Sequence, residues 1–191
     1  MKILAIAASP RRNGNSETLL DMATSGIKKK KRAVVKKVVL ANLDILPCTG
    51  CTACLKTGEC IIKDDMQVLY DDLLSADVLL IASPIYFKGL PCQLKCAIDR
   101  CQALWARKYI LGRVKGKRGK VKGRGAAILV CASSSVKGMF LGAIITLKAW
   151  FKTLDITYKK EFLAEGLENK SAALKDKKLL KRAVEFGLNL P

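Results

Sequence analysis

Short, almost purely apolar runs alternate along the chain with longer segments in which apolar residues recur every three or four positions. Residues 3–8 form one such run, closed by Ser9-Pro10, and the lack of polar alternation predicts a strand covered on both faces. Leu19, Leu20, Ala23 and Ile27 then recur at helical spacing, with Ser16 as the expected N-cap and Gly26 and a lysine run towards the far end. Val34-Val35 and Val38-Val39-Leu40 predict a second strand, and Met66, Leu69, Leu73 and Leu74 make the apolar face of a second helix opened by Asp64-Asp65. Residues 77–82 predict a third strand stopped at Ser83-Pro84. A third helix is predicted over 93–107, with Leu94, Ala97, Ile98 and Cys101 facing inward. Residues 126–131 read as strand four, 140–154 as a helix, 156–163 as strand five and 176–188 as a final helix. Five strands alternating with five helices predict an α/β fold: a three-layer, doubly wound single domain over 1–191, its parallel sheet covered on both faces through right-handed crossovers. Its ligand crevice belongs at the carboxyl ends of the strands. Periodicity leaves the strand order open.

Composition narrows the function classes. The chain of 191 residues carries 35 Lys and Arg against 16 Asp and Glu, a formal charge of +19, with eight cysteines and no histidine. The absence of imidazole removes every mechanism that needs a histidine base or ligand. The longest uncharged apolar stretch, residues 78–87, falls short of the roughly 20 residues that cross a bilayer, and Pro84 interrupts it, so no membrane association is expected. The N-terminal apolar run is too short and too soon broken for a signal peptide, which places the expected location in the cytoplasm with reduced or metal-ligating thiols. Sixteen of the 35 cations sit in two blocks, residues 28–37 and 107–124. Such blocks can attract nucleic acid or an acidic protein. The second is rich in glycine and has no aromatic residues interleaved over 115–124, so solvated surface is the stronger reading and sequence-specific nucleic-acid recognition is not expected.

Two loops at the predicted crevice carry candidate chemistry. Ser9-Pro10-Arg11-Arg12-Asn13-Gly14-Asn15-Ser16 is neither a dinucleotide fingerprint nor a Walker loop. It offers the hydroxyls of Ser9 and Ser16, the Arg11 cation, the Asn15 amide, a tight turn at Gly14 and the N–H groups of a helix start, a set suited to a terminal phosphate monoester. An ordinary capped turn accounts for the same residues about equally well. Ser83-Pro84-Ile85-Tyr86-Phe87-Lys88-Gly89 places apolar and aromatic groups where a planar ring could lie, with core packing as the alternative.

These two loops, together with Gln93-Leu94-Lys95 and Ile98-Asp99-Arg100, resemble the flavodoxin-like NADPH-dependent FMN reductase family over almost the entire chain. The resemblance implies a flavodoxin-like sheet in the order 2-1-3-4-5 and a noncovalent FMN that performs the chemistry without a catalytic side chain. It places the phosphate at Ser9, Arg11, Gly14, Asn15 and Ser16. It sets the isoalloxazine against Pro84, Ile85, Tyr86, Phe87 and Lys88, touched also by the Ala132 to Ser135 loop after strand four, Ser133 included. It further implies NAD(P)H as an electron donor and a homo-oligomer.

A loop insertion at about 47–63 contains Cys48, Cys51, Cys54 and Cys60 in the spacing C-x2-C-x2-C-x5-C. Two-residue spacers let thiolates converge on one inorganic core, and Gly50 and Gly58 let the backbone bend around it. Four-cysteine zinc sites usually divide into two pairs separated by roughly 15–20 residues, a separation missing here. An iron–sulfur cluster, reduced or redox-active thiols, and zinc all remain open, in that order of preference. The motif resembles that of the iron–sulfur flavoprotein branch of the same family, which implies a [4Fe–4S] cluster beside FMN. It departs from the bacterial ferredoxin run in its longer last spacer and in Ile61 where proline stands there. Cys92, Cys96, Cys101 and Cys131 read as core or surface thiols.

The leading expectation is thus an FMN-dependent oxidoreductase or carrier moving electrons from NAD(P)H or a ferredoxin-like donor, through a cluster, to a redox partner protein or small acceptor. A cluster-free FMN or quinone reductase is the alternative within the fold. A basic nucleic-acid or acidic-protein binding module is the alternative from another class.

Overall fold

A computed structural model describes residues 1–30, 32–113 and 123–190. Its strands β1 (Lys2–Ala7), β2 (Val34–Val39), β3 (Val78–Pro84), β4 (Gly123–Val130) and β5 (Ile156–Ala164) form one parallel sheet in the order β2-β1-β3-β4-β5. This is the flavodoxin-like order. Central β1 and β3 are apolar at nearly every position because both faces are covered. Leu4, Ile6 and Ala8 point into the core beneath α3 (Met66–Ser75), α4 (Cys92–Arg100) and α6 (Leu141–Thr153). Ile3, Ala5 and Ala7 point the other way, into the core beneath α1 (Asn15–Lys28), α7 (Ala172–Lys175) and α8 (Lys177–Leu188). Helix α2 (Cys54–Thr57) lies within the cysteine loop, and α5 (Gln102–Trp105) follows α4.

Several expected boundaries move. The helix expected over 93–107 is broken: α4 ends at Arg100, Cys101 takes a ψ of 1°, and α5 leads into a π-helical turn at Ala106–Ile110. Helix α1 is capped by Gly14 rather than Ser16 and has no side-chain cap bond. Glu17 in its first turn supplies the missing acceptor by taking the Asn13 N–H. The final helix keeps its expected place, with Asp176 accepting the N–H of Leu179 to cap α8, and the short α7 precedes it.

The basic blocks are partly structural. Lys36 pairs with Asp72, and Lys37 pairs with Glu17 and Asp21, tying the edge strand β2 to α3 and α1. In the second block, Arg107 donates to the Gly58 carbonyl and Lys108 to Asp155, while residues 114–122 lie outside the described residues. Among the described residues no helix is long and apolar enough to cross a membrane.

Candidate functional site

The loop between β1 and α1 owes its shape to side chains that turn back on it. The Arg11 N–H donates to Ser9 Oγ at 3.1 Å, and the Asn13 N–H donates to Glu17 at 2.6 Å, holding Asn13 at a φ of 55° that a non-glycine residue rarely adopts. Arg12 is drawn away from the crevice to Glu17 and Asn42. Glu17 is almost fully buried. Burial opposes its charge, but Arg12, Lys37 and the Asn13 N–H overcome that and hold the carboxyl at about 2.

A crevice of about 310 Å³ lies at the carboxyl end of the sheet and is lined by Ser9, Arg11, Gly14, Asn15, Ser16, Pro84, Ile85 and Tyr86. The structure therefore brings together the first loop and the start of the loop after β3, as expected. Three expected contacts are not among its walls. Phe87 projects wholly into solvent, Lys88 sits at the far side of a tight turn, and Ser133 is engaged through its carbonyl by the Cys131 thiol and the Gly166 N–H. The turn explains the first two: Tyr86 and Gly89 exchange backbone hydrogen bonds of 3.1 and 2.8 Å, forcing Phe87 and Lys88 to φ values of 50° and 60°. Gly142 of α6 packs directly on the Lys88 carbonyl, where a Cβ would stand only 2.6 Å away.

Ala132, at the start of the loop after β4, lines the crevice as expected, whereas Val130 at the end of β4, Cys131 just after it, and Leu167, Glu168 and Lys170 after β5 were not anticipated. The signal for the last group lies in Asn15. Its amide nitrogen donates to the carbonyls of Leu167 and Asn169 at 3.0 and 2.8 Å, and its oxygen accepts the Ala173 N–H at 3.0 Å. All three bonds go to protein, so Asn15 lines the crevice but acts as a strut that carries the β5–α7 loop over it.

The cysteine loop forms a second cavity, of about 240 Å³, walled by Cys48, Cys51, Cys54 and Cys60 with Arg100, Gln102 and Ala103. Its neck is closed by reciprocal bonds: the Leu46 N–H donates to Asp64, the Asp44 N–H to Asp65, and the Asp65 N–H to the Asp44 carbonyl. Gly58, at a φ of 76°, caps α2 and receives Arg107 on its carbonyl. Cys48 and Cys51 are exposed and Cys54 and Cys60 half-buried, all four as free thiols. Burial, followed by the neighbouring Cys60, Cys48 and Cys51, raises the Cys54 thiol above its ordinary range, so the four sulfurs feel one another electrostatically. Among the described residues no three His, Cys, Asp or Glu side chains gather closely enough to hold a single metal ion. The remaining thiols lie elsewhere: Cys92 and Cys96 on α4, Cys131 in the crevice at the carboxyl end of the sheet, and Cys101 sealed in the core, where burial pushes it to about 12.

This arrangement has relatives. The chain is 33% identical over 111 residues to an iron–sulfur flavoprotein of Methanosarcina thermophila, a match covering 58% of each protein. It is 35% identical over 116 residues to an iron–sulfur flavoprotein of Archaeoglobus fulgidus, covering 61% of this chain and 52% of that one. The chain thus spans little more than half the length of these curated relatives. The NAD(P)H:quinone oxidoreductase structure from Methanothermobacter marburgensis superimposes with a TM-score of 0.74 at 15% identity, over 99% of this chain and 95% of that one, a likeness of fold. The NADPH-dependent FMN reductase family matches residues 1–163, and with the crevice and sheet order described above, the chain belongs to that family.

Proposed function

We propose that the protein is an FMN-dependent oxidoreductase that accepts electrons from NAD(P)H or a ferredoxin-like donor and delivers them through a [4Fe–4S] cluster to a partner protein or small acceptor. The observation that carries the reading is the shared cavity of Cys48, Cys51, Cys54 and Cys60, closed at its neck and walled on one side by a buried arginine. These residues fit the cluster in donor type and charge: four soft thiolates whose mutual repulsion a cationic core would relieve. FMN would supply the exchange between two-electron and one-electron chemistry. The chain's own part is to bind and shield. Ser9, Ser16 and the N–H groups at the start of α1 face the phosphate position, Arg11 contributes charge, and Pro84, Ile85 and Tyr86 wall the ring position.

One observation favours the cluster-free alternative, namely that no three ligating side chains converge on a single-ion position among the described residues. Ligands of a polynuclear core each bind a different metal atom and stand farther apart than ligands of one ion. Anaerobic purification with a visible spectrum and flavin, iron and sulfide analysis tests the reading. Stoichiometric FMN with four irons and four acid-labile sulfides is expected, and flavin without iron selects the cluster-free reductase.

A further inference from the structure

Among the described residues, the largest side chain less than 2% exposed is a charged one, Arg100 at the end of α4. Its guanidinium has five N–H donors in a fixed fork. One terminal nitrogen donates to the Leu46 carbonyl at 2.9 Å and to Asp64 Oδ2 at 2.6 Å; the other donates to the Ile62 carbonyl and Asp64 Oδ1, both at 3.1 Å. Leu46 and Ile62 flank the cysteine segment on either side, so one side chain clamps both ends of the loop. The fifth donor, Nε, is buried and has no hydrogen-bond partner. Arg100 also walls the four-cysteine cavity, and the Cys60 side chain sits beside the guanidinium.

A residue kept only to brace the loop would leave a charged donor desolvated and unpaired for nothing, which is costly. Its counter-ion is turned away from the cavity: Asp64 is not among the walls and also accepts the N–H groups of Leu46 and Met66. The cavity therefore meets the positive side of the pair. Hydrogen bonds to ligand sulfurs and fixed charge are the means by which a protein sets the potential of a thiolate-bound cluster.

We propose that Arg100 is the positioning and tuning residue of the four-cysteine centre, clamping both ends of its loop and presenting a fixed positive charge and an unpaired N–H to the ligand sulfurs so that the reduced centre is stabilised. The inference rests on the cluster reading above. One-electron reduction adds one negative charge to the cluster and its thiolates with no accompanying proton, and a neighbouring cation favours that state.

The test is an anaerobic, dye-mediated titration with dithionite on the FMN- and iron-reconstituted protein, comparing wild type with Arg100→Lys, Arg100→Gln and the charge-neutral pair Arg100→Gln with Asp64→Asn. The pair leaves no uncompensated buried carboxylate and so keeps the test available if Arg100→Gln alone fails to fold. Removing the charge is expected to lower the equilibrium constant for cluster reduction at least about tenfold, a fall of about 59 mV for a one-electron couple. Arg100→Lys is expected to recover most of that shift while losing iron faster to a chelator, because an ammonium cannot span Leu46, Ile62 and Asp64 together. Wild type that takes up no iron overturns the cluster reading, and this inference with it. Wild type with a full cluster and neutral variants of unchanged potential overturn the inference alone.

Discussion

The Glu17 carboxylate reaches back from the first turn of α1 to accept the Asn13 N–H at 2.6 Å, while Lys37 from β2 lies 2.9 Å from it on the other side. One buried acid thereby holds the left-handed residue of the β1–α1 loop and fastens the edge strand to the helix. Its folded-state value of about 2 lies below the ordinary 4.5, so its contribution is present above pH 4.5 and is lost as pH falls through about 2. The depression corresponds to at most about 3 kcal/mol of stability at neutral pH. Glu17→Gln is expected to lose much of this at pH 7 and to show a flatter stability profile between pH 5 and 2. Urea unfolding at pH 7, 4 and 3 checks it, and parallel profiles for the two proteins would remove Glu17 from the account.

FMN is expected to bind more tightly than riboflavin, because Ser9, Arg11, Gly14 and Ser16 meet at the helix start where a phosphate would sit. Ser16→Ala is expected to weaken FMN by about 1 kcal/mol, the size of one hydrogen bond, and to leave riboflavin unchanged. Fluorescence titration with both flavins measures this directly. Equal affinity for the two ligands defeats the phosphate assignment.

Asn15→Ala should behave differently from Ser16→Ala. Asn15 donates to the Leu167 and Asn169 carbonyls and accepts the Ala173 N–H, so its loss releases the loop carrying Leu167, Glu168 and Lys170 over the crevice. FMN and riboflavin are both expected to weaken, each by about 1–2 kcal/mol, since the lost order affects the whole pocket rather than the phosphate alone. A loss confined to FMN would instead make Asn15 a phosphate ligand.

The layers and the crevice loops were legible because each strand is a run of apolar residues with its own stop: Ser9-Pro10 after β1 and Ser83-Pro84 near the end of β3. Strand order came from family resemblance, since no periodicity records which strands are neighbours. What escaped the sequence reading were residues whose work is done across long separations. Arg100 enters the sequence only as part of the Ile98-Asp99-Arg100 motif, with no role of its own until its partners 36 to 54 positions away are known. Arg107 was assigned to a solvated block and is bonded to Gly58. Lys170 falls beyond the crevice loops that were recognisable and enters the site with the β5–α7 loop, which Asn15 and the Cys131 and Ser133 carbonyls hold in place. Phe87 is the reverse case: its aromatic character points to a flavin wall, while the two-residue turn with positive φ carries its side chain into solvent, outside the crevice lining.

Helices α1 and α8 approach closely enough that Gly187 packs on the Ala23 carbonyl and Gly26 on that of Val184. A methyl group at either position would collide with backbone rather than with a side chain that could move aside. Gly187→Ala, which ordinarily favours a helix by about 1 kcal/mol, is therefore expected to destabilise this one by about 1–3 kcal/mol through the enforced separation. Thermal unfolding checks the sign: a higher midpoint than wild type would show that the helices can part at no cost.

The inorganic centre is expected on the sulfurs of the cysteine loop rather than on the other four thiols. Cys54 lies with Cys48, Cys51 and Cys60 around one cavity, whereas Cys131 lies just after β4, donates to the Ser133 carbonyl at 3.0 Å and lines the crevice at the sheet's carboxyl end. Cys54→Ala removes one of four ligands and is expected to collapse iron content while FMN stays bound, because the crevice loops are separate from the cysteine loop. Cys131→Ala is expected to leave iron unchanged, with a stability loss of about 1 kcal/mol for a small buried side chain and an effect on FMN affinity of similar size. Iron, sulfide and flavin analysis of the two variants after anaerobic reconstitution separates the sites. Iron lost from Cys131→Ala but retained by Cys54→Ala would move the centre to the flavin crevice. Loss of both cofactors from Cys54→Ala would mean that the cysteine loop supports the crevice, despite the separate walls of the two cavities.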